Sequence, residues 1–293
     1  MIVTVTLNAA IDRTLTVPNF QLGQRHRASQ GLTLAGGRTG TRIVEELTSE
    51  AILNDFVRIA DESRTSSAVV DPTAATYTEI NEWGPHVEPD ELAMLLEKIS
   101  YLARGADMVV FSGTLPRGVA DSFYAEAIRD LNRRQVRAVL DSEGTPLRLG
   151  VEAEPFLVTP NQREAEGLVG QEFRDDEDYL MAVERIAELG ARNVLITAET
   201  RSFALFREER KRVRLRAIAP QVEPVSGVGA GDVLLGAFLA ARMADRPLDE
   251  SLCAAVAAGA ASTLEVGAGR FEPREAMRLQ KAVDVRELEP VST

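Results

Sequence analysis

The sequence predicts an α/β protein of three layers, in which a mostly parallel central β-sheet lies between helices and a small second β-sheet forms a lid. From Met108 onward, short apolar strands alternate with amphipathic helices, a pattern typical of a parallel sheet covered on both faces. The last third of the chain has helical patterns rich in Ala and Gly, whereas the first third has strand patterns rich in Thr and Ser. With 293 residues, 45% of them hydrophobic, the chain can bury one large core or two smaller ones. We expect a single domain over residues 1–293.

The amino-terminal part is expected to supply one strand of the main sheet and the whole lid. Residues 1–7 alternate as a strand does. The lid is expected from about 10–35 and 63–83, which contain the strand-like segments 11–17, 27–34, 64–70 and 76–81.

The regular pattern from Met108 predicts the elements of the main layer in order. They are strand 108–113, helix 119–135, strands 137–141 and 156–159, helices 161–169 and 176–190, strand 193–197, a hairpin over 202–218, and helices 229–244 and 248–265. Ligands of parallel sheets bind beyond the carboxyl ends of strands. Polar segments occupy such positions at 112–116, 141–144 and 159–161.

Composition excludes several classes of function. A net charge of -12 argues against nucleic acid or an anionic membrane as a partner. One cysteine, Cys253, rules out a disulfide framework, and the two histidines, His26 and His86, lie far apart in polar surroundings, which disfavours a zinc site. No apolar run reaches the length of a membrane span and the first residues do not resemble a signal peptide, so a cytoplasmic protein is expected.

The stretch from Ser226 to Asp232 is the most informative local feature. Its glycines let backbone N–H groups face a ligand, and the first turn of the following helix adds unpaired N–H groups and positive potential. As a functional site it is an anion hole with a base, Asp232, at its rim; as a structural feature it is a tight turn before a buried helix. These residues alone favour neither interpretation. The spacing excludes the dinucleotide fingerprint, and the absence of any Gly-Lys pair excludes a Walker A loop.

Asn161 and Glu164 open the helix expected over 161–169. Three residues apart, their side chains share one helix face and could hold a hydrated Mg²⁺ or its waters. The same spacing is a capping box, worth about 1 kcal/mol. Taken alone, the pair favours the cap.

Short segments spread along most of the chain carry a combined signal through their order and spacing. They are Asn8–Thr14, Ser63–Thr65, Thr78–Pro85, Ser112–Gly118, Pro160–Glu164, Gly229–Asp232 and Gly259–Thr263. Together they resemble the ribokinase-like (PfkB) sugar kinases, and within them the branch of 1-phosphofructokinase and tagatose-6-phosphate kinase. The resemblance implies the ribokinase-like fold.

The resemblance also implies roles for individual residues. Asp232 would take the proton from the sugar hydroxyl, and backbone amides of Gly229, Ala230 and Gly231 would stabilise the transferring phosphoryl group. Implied ATP contacts are Asn161, Thr197, Ser226, Gly227 and Gly259. Implied sugar-phosphate contacts are Asp12, Gly36, Gly37, Arg64 and Arg117, with Arg64 favoured over Arg117 for the substrate phosphate. Glu164 and Asn161 would organise Mg²⁺, through water.

By this resemblance the protein is an ATP-dependent and Mg²⁺-dependent kinase that converts fructose 1-phosphate to fructose 1,6-bisphosphate. Tagatose 6-phosphate and fructose 6-phosphate are alternative substrates, and a catalytically impaired remnant that still binds sugar phosphate or nucleotide is an alternative function. Lid strands of this family often pair between subunits, so a homodimer through the lid is expected.

The chain departs from the family pattern in two places. Family members carry a Gly-Gly-Lys-Gly-x-Asn segment, then a helix and a strand that lead to a second Gly-Gly pair. Here Gly36-Gly37 runs directly into residues 38–47, so one helix-strand unit is apparently lost near 37–38, which predicts weaker substrate binding and low stability. The second departure is Arg201, which stands in a turn where the family usually has glycine; it either crowds the nucleotide or faces solvent.

Overall fold

The computed structural model describes residues 1–17, 19, 21, 30–31, 39–71, 73–74, 76–208, 211–265 and 267–289. The strands in these ranges are β1 (Ile2–Val5), β2 (Ala10–Thr16), β3 (Gln30–Gly31), β4 (Arg64–Asp71), β5 (Thr76–Asn81), β6 (Met108–Ser112), β7 (Arg137–Asp141), β8 (Leu157–Val158), β9 (Val194–Ala198), β10 (Arg201–Glu208), β11 (Lys211–Ile218) and β12 (Asp284–Glu287). The helices are α1 (Thr39–Ser49), α2 (Pro89–Leu102), α3 (Phe123–Arg133), α4 (Gly144–Val151), α5 (Gln162–Val169), α6 (Asp176–Leu189), α7 (Ala230–Met243), α8 (Leu248–Ser262) and α9 (Pro273–Gln280).

The main sheet has eight strands in the order β1-β6-β7-β8-β9-β10-β11-β12. The pairs from β1 to β9 are parallel, and those from β9 to β12 are antiparallel. Parallel strands bury both faces and therefore consist of continuous apolar runs. In β7, the side chains of Ala138, Val139 and Leu140 are fully buried. The predicted mostly parallel α/β sheet is confirmed.

Two hydrophobic clusters cover the two faces of this sheet. One packs α3 and α6 against the sheet around Phe111, Tyr124 and Tyr179. The other packs α7 and α8 against the opposite face, where Phe238 contacts Phe206. This arrangement gives the three layers that the sequence predicts.

The smaller sheet has the order β3-β2-β4-β5, with β2 and β4 parallel and the other pairs antiparallel. It corresponds to the predicted lid segments 11–17, 64–70 and 76–81. Of the strand predicted over 27–34, the two residues of β3 lie within the described part of the chain.

Several predicted boundaries are wrong, and some elements are absent from the prediction. The helix predicted from 119 begins at Phe123, because residues 119–122 form a turn in which the Phe123 amide donates to the Ala120 carbonyl at 2.9 Å. The strand predicted over 156–159 has only two residues as β8, although the Phe156 and Thr159 amides donate to β7 on either side of it. The sequence analysis does not predict α1, α2, α4, α9 or β12. None of the described helices combines the length and apolar character that a membrane crossing requires.

Candidate active site

The glycine-rich turn before α7 lies where the carboxyl ends of β6 and β7 meet the helix. Gly229 is the N-cap residue of α7 with φ 76°, and a Cβ there would lie 2.9 Å from the Gly269 nitrogen. Only glycine fits such a backbone without strain. The Ala230 amide donates to the Gly227 carbonyl at 3.2 Å, so the turn already uses one of the three amides predicted to face a phosphoryl group.

Asp232 is exposed in the first turn of α7. The Ser112 hydroxyl, at the end of β6, donates to its Oδ1 at 3.5 Å. The fold thus brings together two residues that are 120 positions apart in the chain. A carboxylate at this position gains from the positive end of the helix and is open to a ligand above the sheet.

Asp141, at the end of β7, is a site residue that the sequence analysis placed only within a candidate polar segment. Burial and the nearby carboxylates of Asp232 and Glu164 raise the pKa of Asp141 to about 7. Around it, the hydroxyls of Tyr124 and Ser142 both donate to the Gly113 carbonyl at 3.0 Å, which fixes the loop after β6. The sequence pattern predicts the end of this strand, but the two carboxylates that raise the pKa of Asp141 belong to α5 and α7, so no local pattern could identify the effect.

Asn161 and Glu164 form the predicted capping box at the start of α5. The Asn161 amide donates to Glu164 Oε2 at 2.8 Å, and the Glu164 amide donates to Asn161 Oδ1 at 3.0 Å. Burial, with a further contribution from Glu143, raises the pKa of Glu164. The cap and a role near a ligand are compatible, because the carboxylate of Glu164 also acts electrostatically on Asp141.

The chemistry of this cluster fits Mg²⁺ held through water and phosphate rather than by the protein alone. Carboxylate and amide oxygens are the ligands that Mg²⁺ accepts, and the ion usually keeps several waters. Within the described ranges, no group of three acidic, His or Cys side chains is arranged to hold a metal ion directly. Asn161, Glu164 and Asp141 are the candidate residues on this rim for contact with a hydrated ion.

On the lid side, Arg64 at the start of β4 is hydrogen-bonded to the segment that joins β1 to β2. Its Nε donates to the Asn8 carbonyl at 3.1 Å. Asn8 is buried, its Nδ2 donates to the Thr114 hydroxyl at 2.9 Å, and its Oδ1 is a buried oxygen without a hydrogen-bond partner. A Cβ on Gly84 would lie 2.3 Å from that oxygen, so this glycine permits the close approach of the two segments. The Asn8 side chain was not among the predicted site residues, although its segment contributed to the resemblance.

Arg117 is more exposed and is directed at the same loop. Its Nε donates to the Gly84 carbonyl at 2.9 Å and its Nη2 lies 3.7 Å from Asp61. Because of these contacts with a carbonyl and a carboxylate, the Arg117 guanidinium is less available to a substrate phosphate than that of Arg64. The backbone of Asp12 pairs with Ser66 in the lid, whereas its side chain, Gly36 and Gly37 lie outside the described residues.

The residues predicted to contact ATP fall into two groups. Thr197, at the end of β9, donates its amide to the Pro160 carbonyl at 3.1 Å, and Ser226 is buried beside the glycine turn and accepts from the Val228 amide. Gly259 lies instead in the interface of α7 and α8. A Cβ on Gly259 would be 3.2 Å from the Leu234 Cβ, so this glycine permits the close packing of the two helices, and its contact with a nucleotide stays a prediction.

Arg201 at the start of β10 contacts two residues of helix α6. Its Nη1 lies 2.8 Å from Asp176 Oδ1, and its guanidinium stacks 5.2 Å from the ring centroid of Tyr179. Arg216 binds the second oxygen of Asp176 at 2.5 Å, and these two hydrogen bonds and charges hold the pKa of Asp176 below its usual value against the opposing effect of burial. The effect of Arg201 on a bound nucleotide stays a prediction.

Comparison with known proteins gives a consistent result. The model of the pfkB family carbohydrate kinases matches residues 21–275. The chain is 28% identical to a 1-phosphofructokinase of Borreliella burgdorferi over 308 aligned positions, which cover 97% of this chain and 98% of that protein. It is also 28% identical to a D-tagatose-1-phosphate kinase of Klebsiella oxytoca, over 96% of this chain and 98% of that one. The crystal structure of phosphofructokinase-2 from Escherichia coli in complex with substrates and products superposes with a TM-score of 0.85 at 25% identity, covering 96% of this chain and 98% of that one.

Proposed function

Because the chain belongs to the pfkB family of carbohydrate kinases, we propose that it transfers the γ-phosphoryl group of ATP to a ketohexose phosphate. The proposed substrate is fructose 1-phosphate and the proposed product is fructose 1,6-bisphosphate. The single observation that carries this proposal is the position of Asp232, a carboxylate in the first turn of α7, beside the glycine turn and 3.5 Å from Ser112 at the end of β6. Relatives named 1-phosphofructokinase support the choice of substrate.

Asp232 is the proposed general base. The sugar hydroxyl oxygen attacks the γ-phosphorus, its proton passes to the Asp232 carboxylate, and the bond from the γ-phosphorus to the oxygen of the leaving ADP breaks. General base catalysis contributes about 10²–10⁴-fold to the rate. The Ser112 hydroxyl, which donates to Oδ1 at 3.5 Å, helps to orient the carboxylate.

The glycine turn is the proposed site of charge stabilisation. Backbone amides that are fixed before the reaction stabilise the charge that develops on the transferring group. Gly229 fixes the turn by its left-handed backbone, and the exposed Gly231 amide at the helix start is the proposed donor. Ser226, Gly227 and Thr197 would border the nucleotide.

Asn161 and Glu164 are proposed to position the ATP phosphates together with a hydrated Mg²⁺. When bound, this ion supplies positive charge that neutralises the phosphate oxygens. The capping box fixes the side chains of Asn161 and Glu164. The pKa values of Glu164 and Asp141 are raised in part by neighbouring carboxylates, so a cation bound at this rim would be favoured.

Arg64 is proposed to bind the phosphate already present on the sugar. Its Nε donates to the Asn8 carbonyl, which fixes the guanidinium at the junction of lid and main sheet, and among the described residues its Nη atoms have no hydrogen-bond partner that would keep them from a ligand. A guanidinium binds a phosphate through two parallel hydrogen bonds. Arg117 is the second candidate for this role, and it is less favoured because its guanidinium already contacts the Gly84 carbonyl and the Asp61 carboxylate.

The lid is also the proposed contact of a homodimer. Ile80 on β5 and Trp83 just after it have 59% and 89% of their surface exposed, and β5 is an edge strand of the lid sheet. Exposed apolar side chains on a sheet edge are typical of an interface with another chain. Light scattering should give twice the chain mass, and Trp83→Ser should lower it toward one chain.

The experiment that tests the activity measures ADP release from Mg-ATP with fructose 1-phosphate, fructose 6-phosphate and tagatose 6-phosphate in parallel. Asp232→Asn serves as the blank. Asp249→Asn is the matched control, because it removes the same charge from the first turn of the neighbouring helix α8. Turnover with one sugar phosphate that disappears in Asp232→Asn and persists in Asp249→Asn supports the kinase and identifies its substrate.

A folded protein that releases no ADP with any of the three sugar phosphates would contradict the proposal. In that case calorimetry with ATP and with each sugar phosphate tests the second candidate, a remnant that binds without turnover. The observation that favours this second candidate is that Gly36-Gly37 runs directly into residues 38–47, without the Gly-Gly-Lys-Gly-x-Asn segment of the family.

A further inference from the structure

A cavity of about 770 Å³ lies at the end of the main sheet opposite to the candidate active site. It is lined by residues at the amino-terminal ends of β7, β8 and β9 and by Arg207 near the end of the antiparallel strand β10. Along β7 alone, Arg137 at this edge and Asp141 at the active-site edge are about 13 Å apart at the rise of a β-strand. The cavity is therefore separate from the Asp232 site.

The charge of this cavity is opposite to that of the whole protein. Arg137, Arg192 and Arg207 line it together with a single carboxylate, Glu154, in a chain with a net charge of -12. Arg192 lies 3.8 Å from Glu154, the longest ion pair in the described part of the chain. No ion pair or hydrogen bond of the Arg207 guanidinium occurs among the described residues, whereas the Arg242 guanidinium pairs with the adjacent Glu208.

Arg137 is held in a geometry that leaves its donors available. Its guanidinium lies 5.0 Å from the centroid of the Phe156 ring. Stacking on an aromatic face occupies the flat side of a guanidinium and leaves the N–H groups in its plane for an anion. Asp107, just before the adjoining strand β6, is paired with the amino terminus and also interacts electrostatically with Arg137, but the structure records no hydrogen bond or ion pair between these two side chains.

A buried amide fixes the frame of the cavity. Asn193 has 3% of its surface exposed; its Nδ2 donates to the Phe156 carbonyl at 2.6 Å and its Oδ1 accepts from the Arg207 amide at 2.8 Å. Asn132 donates to the carbonyls of Ala153 and Glu154 at 2.9 and 3.0 Å. These bonds join α3, β9 and β10 around the arginines, so the binding groups are positioned in advance.

We propose that this cavity binds a small phosphorylated metabolite that carries a diphosphate or two neighbouring phosphate groups. Three guanidinium groups around one carboxylate leave an excess of positive charge that a ligand with two or more negative charges neutralises. The volume lies within the range of small-molecule sites. The site is independent of the kinase chemistry proposed for the opposite edge.

Inorganic pyrophosphate is the probe, and Phe156→Trp places a fluorescent reporter inside the cavity. The parent chain, whose single tryptophan is Trp83 in the lid, gives the background. We expect a saturable fluorescence change with pyrophosphate, weakened about tenfold by Arg207→Gln in the same background and weakened also by about 0.5 M salt. Arg278→Gln on α9, which removes the same charge from an exposed helix, should leave the affinity unchanged.

No fluorescence change with a folded Phe156→Trp chain would overturn the proposal, and so would equal affinities in the Arg207→Gln and parent backgrounds. Equilibrium dialysis with labelled pyrophosphate on chains that retain Phe156 gives a second measurement if the reporter chain does not fold. The expected result is one bound pyrophosphate fewer per chain in the Arg192→Gln, Arg207→Gln double variant. An unchanged count means that pyrophosphate binds elsewhere, and that result also overturns the proposal.

Discussion

Substitution by alanine at two glycines, one at the start and one in the middle of α7, should change the free energy of unfolding in opposite directions. Gly229→Ala places a Cβ on a residue with φ 76°, which costs about 1–2 kcal/mol, and brings it to 2.9 Å from the Gly269 nitrogen. Because that neighbour is backbone, it cannot rotate away, and we expect a total loss of about 2 kcal/mol or more. A Cβ on Gly236 meets no atom within 4 Å, so Gly236→Ala should gain about 0.5–1 kcal/mol from helix propensity.

Thermal unfolding measures this difference without any assumption about activity. For a chain of 293 residues, 1 kcal/mol corresponds to roughly 1.6 °C in Tm. Gly229→Ala should therefore lower Tm by about 3 °C and Gly236→Ala should raise it by about 1–2 °C. In the ADP-release assay, Gly229→Ala should also lower kcat about tenfold or more, since the turn presents the Gly231 amide. Equal Tm shifts for the two variants would refute the argument from backbone conformation.

Three further predictions concern single side chains. Asp141 has a folded-state pKa of about 7 against 3.8 for the free side chain, so its contribution to stability is fully present below pH 3.8 and is lost as pH rises to about 7. In urea unfolding in magnesium-free buffer, the gain in free energy of unfolding from Asp141→Asn should be about 2 kcal/mol larger at pH 8 than at pH 5. Equal gains at the two pH values would contradict this. Arg201→Ala should leave the KM for ATP unchanged and lower the free energy of unfolding by about 1 kcal/mol or less, because its half-exposed guanidinium binds Asp176 and Tyr179. A large change in the KM for ATP would show that Arg201 acts on the nucleotide. Arg64→Gln should raise the KM for the sugar phosphate about tenfold with little change in kcat, and initial rates with an unchanged KM would exclude this arginine as the phosphate ligand.

The main sheet could be predicted because its strands carry their signal locally. The run from Arg137 to Asp141 is a short apolar segment with a charged residue at each end, and it forms β7 over the predicted residues. Helix α2 also carries a local signal, since Pro89 occupies its first turn and Glu88 and Glu91 form a capping box, so the capping pattern could have predicted it. Strand β12 is different. Its polar residues become a strand only by pairing with β11, which lies about 70 positions earlier in the chain.

The candidate site divides in the same way between local and tertiary signals. The glycine turn, Asp232 and the capping box of Asn161 could be identified because backbone conformation and helix starts are local properties. The pKa of Asp141 depends on carboxylates of two other segments, which no local pattern reveals. The nucleotide role of Gly259, which the resemblance implies, stays a prediction, whereas its close packing against Leu234 depends on tertiary structure that no local pattern reveals.

The loss of a helix-strand unit near 37–38 stays a prediction, and two features of the described residues bear on its consequences. Strand β1 pairs with β6 alone among the described strands, and α1 has no buried residue in its eleven. The 308 aligned positions shared with the relative from Borreliella burgdorferi exceed the 293 residues of this chain, so that relative has residues without a counterpart here. An edge strand leaves backbone donors and acceptors unpaired, and a helix without a buried face contributes little free energy. A lost helix-strand unit should therefore lower stability, and it should weaken sugar binding because the lid strand β2 follows β1 directly along the chain.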